Sequence, residues 1–171
     1  MLKQNHSRSI NGYNLNHSFP RIEQEIGNNI DALVPLFEEY RIENGYPSNE
    51  RCVKSFLSDR IYFHDSIIYT AYIGDKPIGF VQLYPFYTLL DLKKQWVLND
   101  LFVLPGYRRR GIGKALLQEA FELAKKSRSK GIIIQAPVTT SSGKHFCESV
   151  GLQKDQDSFY YKYHHADIIS A

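Results

Sequence analysis

Apolar positions along the chain follow two spacings, one helical and one typical of strands. Residues 28–43 have helical spacing, which predicts a helix that begins or bends near Pro35, because proline lacks a backbone donor. A second short helix, capped by Ser48 or Asn49, is predicted after the break that follows. Two β-like runs within residues 67–84 flank a Gly-Asp-Lys-Pro turn, which predicts a hairpin.

The second half of the chain alternates strands and helices. Residues 95–104 predict a strand, residues 111–126 carry an apolar stripe on one helical face, and residues 132–136 are typical of a central strand. A short helix at 142–149 and a last strand at 159–165 complete the pattern. The order β-α-α-β-β-β-α-β-α-β predicts an α/β fold in which a mixed sheet has helices on both faces.

The length and composition of the chain limit the classes of protein to which it can belong. The 171 residues suit one domain over residues 19–171, preceded by a flexible polar arm over residues 1–18 that lacks the apolar core of a secretory signal. The two cysteines, Cys52 and Cys147, are too few for a disulfide scaffold or a four-cysteine zinc site, so no metal is expected. No apolar run is long enough to cross a membrane. We therefore expect a cytoplasmic protein without a membrane partner.

Positive charge is concentrated in one segment. The net charge of +3 is too small to indicate a nucleic-acid-binding protein. Residues 108–130, however, contain eight basic and two acidic residues, a local charge of +6. This asymmetry indicates an anion-binding site on a slightly acidic body.

The same segment has the pattern of a phosphate-binding loop. A predicted strand leads into three arginines and then into Gly111-Ile112-Gly113, which opens a helix whose first N–H groups lack intrahelical partners. Two familiar loops do not fit. A P-loop requires Lys and Ser/Thr where Ile112 and Gly113 stand, and a dinucleotide fingerprint requires a third glycine where Leu116 stands.

A third pattern fits this segment. The sequence Arg108-x-x-Gly111-x-Gly113, with NDLFVLPGY before it and FCESVGL after it, resembles the acetyl-CoA motif of the GNAT superfamily of N-acetyltransferases. The resemblance covers about residues 20–165. It implies a mostly antiparallel sheet of about six to seven strands, acetyl-CoA as the acetyl donor, and direct transfer to a primary amine of a small molecule or a protein.

The resemblance also implies which residues hold the cofactor. One strand offers backbone groups to the pantetheine arm, the following turn and helix start hold the pyrophosphate, and a later helix flanks the other side. These are, in that order, Leu101, Phe102 and Val103; Arg108, Arg109, Arg110, Gly111, Ile112, Gly113 and Lys114; and Thr140, Ser141, Gly143, Phe146 and Cys147.

Three candidate catalytic residues depart from the family pattern or stand next to a departure. Many relatives have a glutamate base where this chain has Asn99, whose amide cannot accept a full proton. The adjacent Asp100 points to the opposite face of a regular strand, so it orients substrate or water and acts as a base only if the strand bulges. Cys147 stands where many relatives have the tyrosine that protonates the leaving sulfur, and a thiol is a weak donor.

The acceptor site is the least determined part. The resemblance places it between the first two helices and the last strands, which gives Tyr40, Glu43, Tyr46 and Tyr161 as acceptor-binding candidates. The resemblance is also compatible with a homodimer. Two functions stay open: an N-acetyltransferase, and a non-catalytic acyl-CoA-binding or sensor domain of the same fold that has lost the chemistry.

Overall fold

The computed structural model describes residues 19–90, 92–134 and 141–154. By its internal contacts the chain divides into two compact units, residues 1–134 and 135–171. The first unit contains β1 (Arg21–Gln24), α1 (Ile30–Glu43), α2 (Glu50–Tyr62), β2 (Ile67–Ile73), β3 (Lys76–Thr88), β4 (Lys93–Val103), a 3-10 turn (Pro105–Tyr107), α3 (Ile112–Lys126) and β5 (Ile132–Ile134). The second unit contains α4 (Ser141–Ser149).

The first unit is built on a sheet with strand order β1-β2-β3-β4-β5. The first four strands pair antiparallel, and β5 pairs parallel with β4, so the predicted mixed, mostly antiparallel sheet is confirmed. The described residues form five strands, where six to seven were predicted. The predicted last strand at 159–165 and the predicted arm at 1–18 lie outside the described residues, and a single domain over residues 19–171 stays a prediction.

Helices cover both faces of this sheet, as predicted. The consecutive β3 residues Phe80 to Leu83 are all at most 1% exposed, which requires cover on both sides of the strand. On one face, Phe37 of α1 stacks on Phe80 with ring centroids 3.8 Å apart. On the other, α3 contacts β2, β3 and β4 through an apolar stripe that includes Leu116 and Ala120.

The first two helices differ in one detail from the sequence prediction. Helix α1 runs from Ile30 to Glu43 through Pro35, so the predicted start near Pro35 is wrong and a bend at Pro35 stays a prediction. The helix gives up one backbone bond there, since proline has no N–H. Packing of the buried residues on both sides of Pro35 compensates for that loss. The Asn49 side chain accepts a bond from the Cys52 N–H, which confirms the predicted cap of α2.

Two further observations concern only the described residues. No helix among them has the length and apolar character needed to span a bilayer. They also contain no cluster of three or more His, Cys, Asp or Glu side chains that could hold a metal ion.

Candidate active site

The loop between β4 and α3 has a backbone suited to an anion. Arg109 and Gly111 both adopt left-handed conformations, with φ of +60° and +79°. Gly111 is the N-cap of α3 and provides no side-chain cap, and the first backbone bond of the helix runs from the Ala115 N–H to the Gly111 carbonyl. Within the described part of the chain, the N–H groups of residues 112–114 therefore have no partner. Such groups at a helix N-terminus attract phosphate.

The charges around this loop fit a pyrophosphate. Arg109, Arg110 and Lys114 are exposed and form no salt bridge with any described residue. A Cβ at Gly111 would meet nothing within 4 Å, so the space in front of the helix start is open. The loop thus combines open space, unpaired backbone donors and exposed positive charge, which is what a pyrophosphate requires.

Arg108 differs from its two neighbours because it has partners inside the protein. Its Nε donates to the Val103 carbonyl at 2.8 Å, and its guanidinium nitrogen Nη2 contacts both carboxylate oxygens of Glu43 at 2.7 and 2.6 Å. Arg108 thereby connects the end of β4 to the end of α1. The cofactor role of Arg108 and the acceptor role of Glu43 stay predictions, and the structure gives both side chains a structural bond that the sequence did not indicate.

A β-bulge lies in β4 at Asn99. Gln82 of β3 pairs with Asp100 and Leu83 pairs with Leu98, so the exposed Asn99 is an extra residue without a partner in β3. In a regular strand Asp100 would share a face with Leu98. The bulge instead places Asp100 on the face of Gln82 and Phe102, toward α1. A bulge in the strand was the condition for Asp100 to act as a base, and the structure meets that condition.

The surroundings of Asp100 make its carboxylate more basic than usual. Burial raises the pKa of Asp100, and a hydrogen bond from the Tyr40 hydroxyl to Oδ1, 2.7 Å long, opposes that rise. Burial, followed by the bond to Asp100, raises the pKa of Tyr40 well above its ordinary range, so the phenol stays protonated and donates. The pair holds one carboxylate oxygen in place and leaves Oδ2 without a partner among the described residues.

Asp100 faces a cavity of about 380 Å³ between α1, α2 and the sheet. Tyr40 is the predicted acceptor residue that lines it, whereas Glu43 is outside the lining, Tyr46 is 61% exposed and Tyr161 lies outside the described residues. The acceptor was predicted beside the first two helices but without any residue of α2, and the signal that could have found Cys52, Val53 and Phe56 was their spacing along that predicted helix. The lining residues are Phe37, Tyr40, Arg41, Cys52, Val53, Phe56, Phe80, Gln82 and Asp100.

The second unit contains the remaining candidates. Ser141 and Gly143 lie in the first turn of α4, and Thr140 lies outside the described residues. Phe146 and the free thiol of Cys147 are partly buried, and burial raises the pKa of Cys147. Cys147 is therefore a neutral thiol near neutral pH. The cofactor and catalytic roles of these residues stay predictions.

Comparison with known proteins decides the family. The sequence profile described as the acetyltransferase (GNAT) family matches residues 33–151 of the chain. The chain belongs to the GNAT family. Its predicted fold class, an α/β GNAT fold, is thereby confirmed together with the resemblance on which it rested.

Individual GNAT relatives agree with this assignment. An uncharacterised N-acetyltransferase of Bacillus subtilis is 32% identical over 130 residues, which cover 76% of this chain and 87% of the relative. A crystal structure of a probable acetyltransferase is 33% identical, with a TM-score of 0.81 over 86% of this chain and 99% of that one. A predicted acetyltransferase from Clostridium acetobutylicum, solved with acetyl-CoA, shares the GNAT fold at 15% identity, with a TM-score of 0.69 over 85% of this chain and 99% of that one.

Proposed function

We propose that this chain is an acetyl-CoA-dependent N-acetyltransferase that moves the acetyl group directly to a primary amine in a ternary complex. The observation that carries the proposal is the bulge at Asn99, which directs the Asp100 carboxylate into the cavity. Asp100 belongs to β4, the strand that leads into the loop of residues 104–111 (the anion loop). Membership of the GNAT family and the fold neighbour solved with acetyl-CoA support the choice of donor.

Two parts of the first unit would hold the cofactor. The unpaired N–H groups at the start of α3, with Arg109, Arg110 and Lys114, would bind the pyrophosphate. The backbone of residues 101–103 would bind the pantetheine arm. When bound, acetyl-CoA supplies the acetyl group as an activated thioester.

Asp100 prepares the amine in this proposal. A lysine-like amine has a pKa of about 10.4, so almost all of it is protonated near neutral pH and cannot attack a carbonyl. The Oδ2 atom of Asp100 accepts a proton from the ammonium nitrogen, and the raised pKa of Asp100 reduces the free-energy cost of that transfer. Tyr40 keeps the carboxylate oriented toward the cavity. Asn99 takes no proton, because its amide is not a base.

The proposal does not require an acid at Cys147. A thiol with a pKa of about 8.5 is an adequate leaving group near neutral pH without a dedicated proton donor. The second function, a non-catalytic acyl-CoA-binding domain, is favoured by one specific observation: an amide and a thiol stand at the two positions where many family members have an acid–base pair. The two functions share the anion loop and differ in whether Asp100 matters for turnover.

Substitution of Asp100 separates the two functions. Asp100→Asn keeps the shape of the side chain and removes its basicity, and Asp59→Asn on the exposed surface of α2 is the matched control. We expect both variants to gain thermal stability from acetyl-CoA as the wild type does. Thiol release with a panel of amines should fall at least about 100-fold in Asp100→Asn, since a general base typically contributes that much, and should not change in Asp59→Asn.

Three outcomes contradict parts of this proposal. If acetyl-CoA does not raise the unfolding midpoint of the wild type, the anion loop does not bind it and the proposed donor is wrong. A midpoint shift without turnover of any amine favours the non-catalytic domain. Full turnover by Asp100→Asn shows that the base is another group.

A further inference from the structure

We infer that the acceptor is a primary amine with a single positive charge on an apolar, preferably aromatic, body. This inference rests on the proposed function and narrows its substrate class. An arylalkylamine such as 2-phenylethylamine represents the class, and polyamines and aminoglycosides are excluded from it. The argument uses the wall of the cavity, its charges and the position of its carboxylate.

The wall of the cavity is mostly apolar and rich in rings. Phe37 stacks on Phe80, and the Tyr40 ring meets Phe80 edge to face with centroids 5.5 Å apart. Val53 is buried beside them, and Phe56 is 40% exposed, with the Arg60 guanidinium 5.1 Å from its ring centroid. Ligand pockets of this kind gain affinity from apolar contact area and take their orientation from a few polar groups.

The charges in the lining suit a single cation. Asp100 is the one carboxylate among the described residues that line the cavity. The nearby Glu38 is already satisfied, because its carboxylate accepts bonds from the Ser48 hydroxyl at 2.6 Å, the Asn49 N–H at 2.8 Å and Arg41 at 2.8 Å. A second ammonium in the cavity would therefore lack a carboxylate and would approach the Arg41 guanidinium. Burial of an unpaired charge is costly, so a polycation is disfavoured.

Asp100 and the ring wall lie in one cavity of about 380 Å³, which is within the size range of small-molecule sites. An amine that bonds to Oδ2 can therefore lay its apolar body against Phe56 and the accessible part of Phe37, with the fully buried Phe80 behind them. A polar sugar in the same position would leave its hydroxyl groups against carbon. The same geometry selects for the charge at one end of the substrate and for the carbon skeleton at the other.

A pair of amines that differ only in the ring measures the contribution of the wall. We expect kcat/KM for 2-phenylethylamine to exceed that for ethylamine by about tenfold or more, as burial of an aromatic side chain typically gives. Spermidine and kanamycin, as polycationic probes, should be poorer substrates than 2-phenylethylamine. Thiol release reports turnover for all four amines.

A substitution that fills the cavity tests whether the preference for 2-phenylethylamine arises there. Cys52→Trp adds a large side chain at the lining, and Ser55→Trp adds the same side chain on the same helix at an exposed position outside the lining. We expect Cys52→Trp to raise KM for 2-phenylethylamine about tenfold or more, with a smaller effect on ethylamine. The acetyl-CoA stabilisation should be kept in both variants, which also shows that both fold.

The outcomes distinguish failure of the inference from failure of the proposed function. Loss of the acetyl-CoA shift in the wild type overturns the function itself. If acetyl-CoA binds but spermidine or kanamycin is the better substrate and is insensitive to Cys52→Trp, the inference is wrong and the function stands. If no amine is turned over, the proposed function fails, and thermal unfolding in the presence of CoA tests the cavity alone. A midpoint raised by 2-phenylethylamine but not by spermidine then supports the preference of the cavity for a single charge on an apolar body, and any other result overturns it.

Discussion

Substitution of Gly111 by alanine tests the anion loop, and a second glycine provides the control. Gly111 has φ of +79° at the start of α3, and Gly45 has φ of +84° just after α1. At both positions an added Cβ would meet nothing within 4 Å. The two substitutions therefore impose the same kind of backbone strain without a steric clash, and they differ in what surrounds the new methyl group.

The strain sets the expected loss of stability. A left-handed conformation costs a residue with a Cβ about 1–2 kcal/mol. For a protein of this length, each kcal/mol lowers the unfolding midpoint by about 2–4 °C. We therefore expect both Gly111→Ala and Gly45→Ala to unfold about 2–8 °C below the wild type in the absence of ligand.

Ligand binding separates the two variants. At about 100 times its dissociation constant, a ligand that binds only the folded state adds about 2.7 kcal/mol of stability. Gly45→Ala should keep this gain with acetyl-CoA. Gly111→Ala should lose most of it, because its methyl group would stand in the open space proposed for the pyrophosphate in front of the helix N–H groups.

The assay is thermal unfolding of the wild type and both variants, with and without acetyl-CoA, and with ATP as a ligand control. A full acetyl-CoA shift in Gly111→Ala would refute the assignment of this loop to the pyrophosphate. Clearly unequal midpoints of the two variants without ligand would refute the estimate of strain.

Three further predictions concern the strand ends and the first helix. Tyr40→Phe removes the bond that lowers the pKa of Asp100, so the acid limb of kcat/KM against pH should move to higher pH; an unmoved limb would mean that Asp100 is not the titrating base. Gly79→Ala would place a Cβ 2.7 Å from the Phe102 carbonyl oxygen. Denaturant unfolding should therefore show a loss of about 1–3 kcal/mol in the free energy of unfolding, and stabilisation by acetyl-CoA should weaken. Wild-type values for both would contradict the close approach of β3 and β4 at this position. Hydrogen bonds, first of all that from Ser48, lower the pKa of Glu38, so its carboxylate adds stability at neutral pH that is lost as the pH falls through its folded pKa. The thermal unfolding midpoints of the wild type and of Glu38→Gln should therefore converge as the pH is lowered. A constant difference between the two midpoints at all pH values would contradict this.

The loop proposed to bind the anion could be predicted from the sequence because its determinants are local. Glycine at position 111 and the arginines beside it have the required conformational freedom and charge wherever the strand and helix meet. The structure places Gly111 at the N-cap of α3 in a left-handed conformation, as a glycine at this point suggests. Little beyond neighbouring residues is needed for that inference.

The direction of Asp100 could not be predicted, because it depends on pairing with another strand. The sequence shows two polar residues in a β-like run, and only the register against β3 reveals that Asn99 is the extra residue. The partner of Glu43 was hidden for the same reason. Arg108 and Glu43 are 65 positions apart, and their ion pair exists only once α1 and the end of β4 lie together.

The order of the strands in the sheet has a consequence for how the protein is made. Because strands β1 to β5 are neighbours in the sheet in the order in which they occur in the chain, each strand after β1 leaves the ribosome when a pairing partner has already been synthesised. The β2–β3 hairpin closes over a short turn, and β5 needs only the intervening α3 to reach β4. Contacts between near segments favour fast folding. The scaffold that directs Asp100 can thus assemble from its N-terminal side during translation.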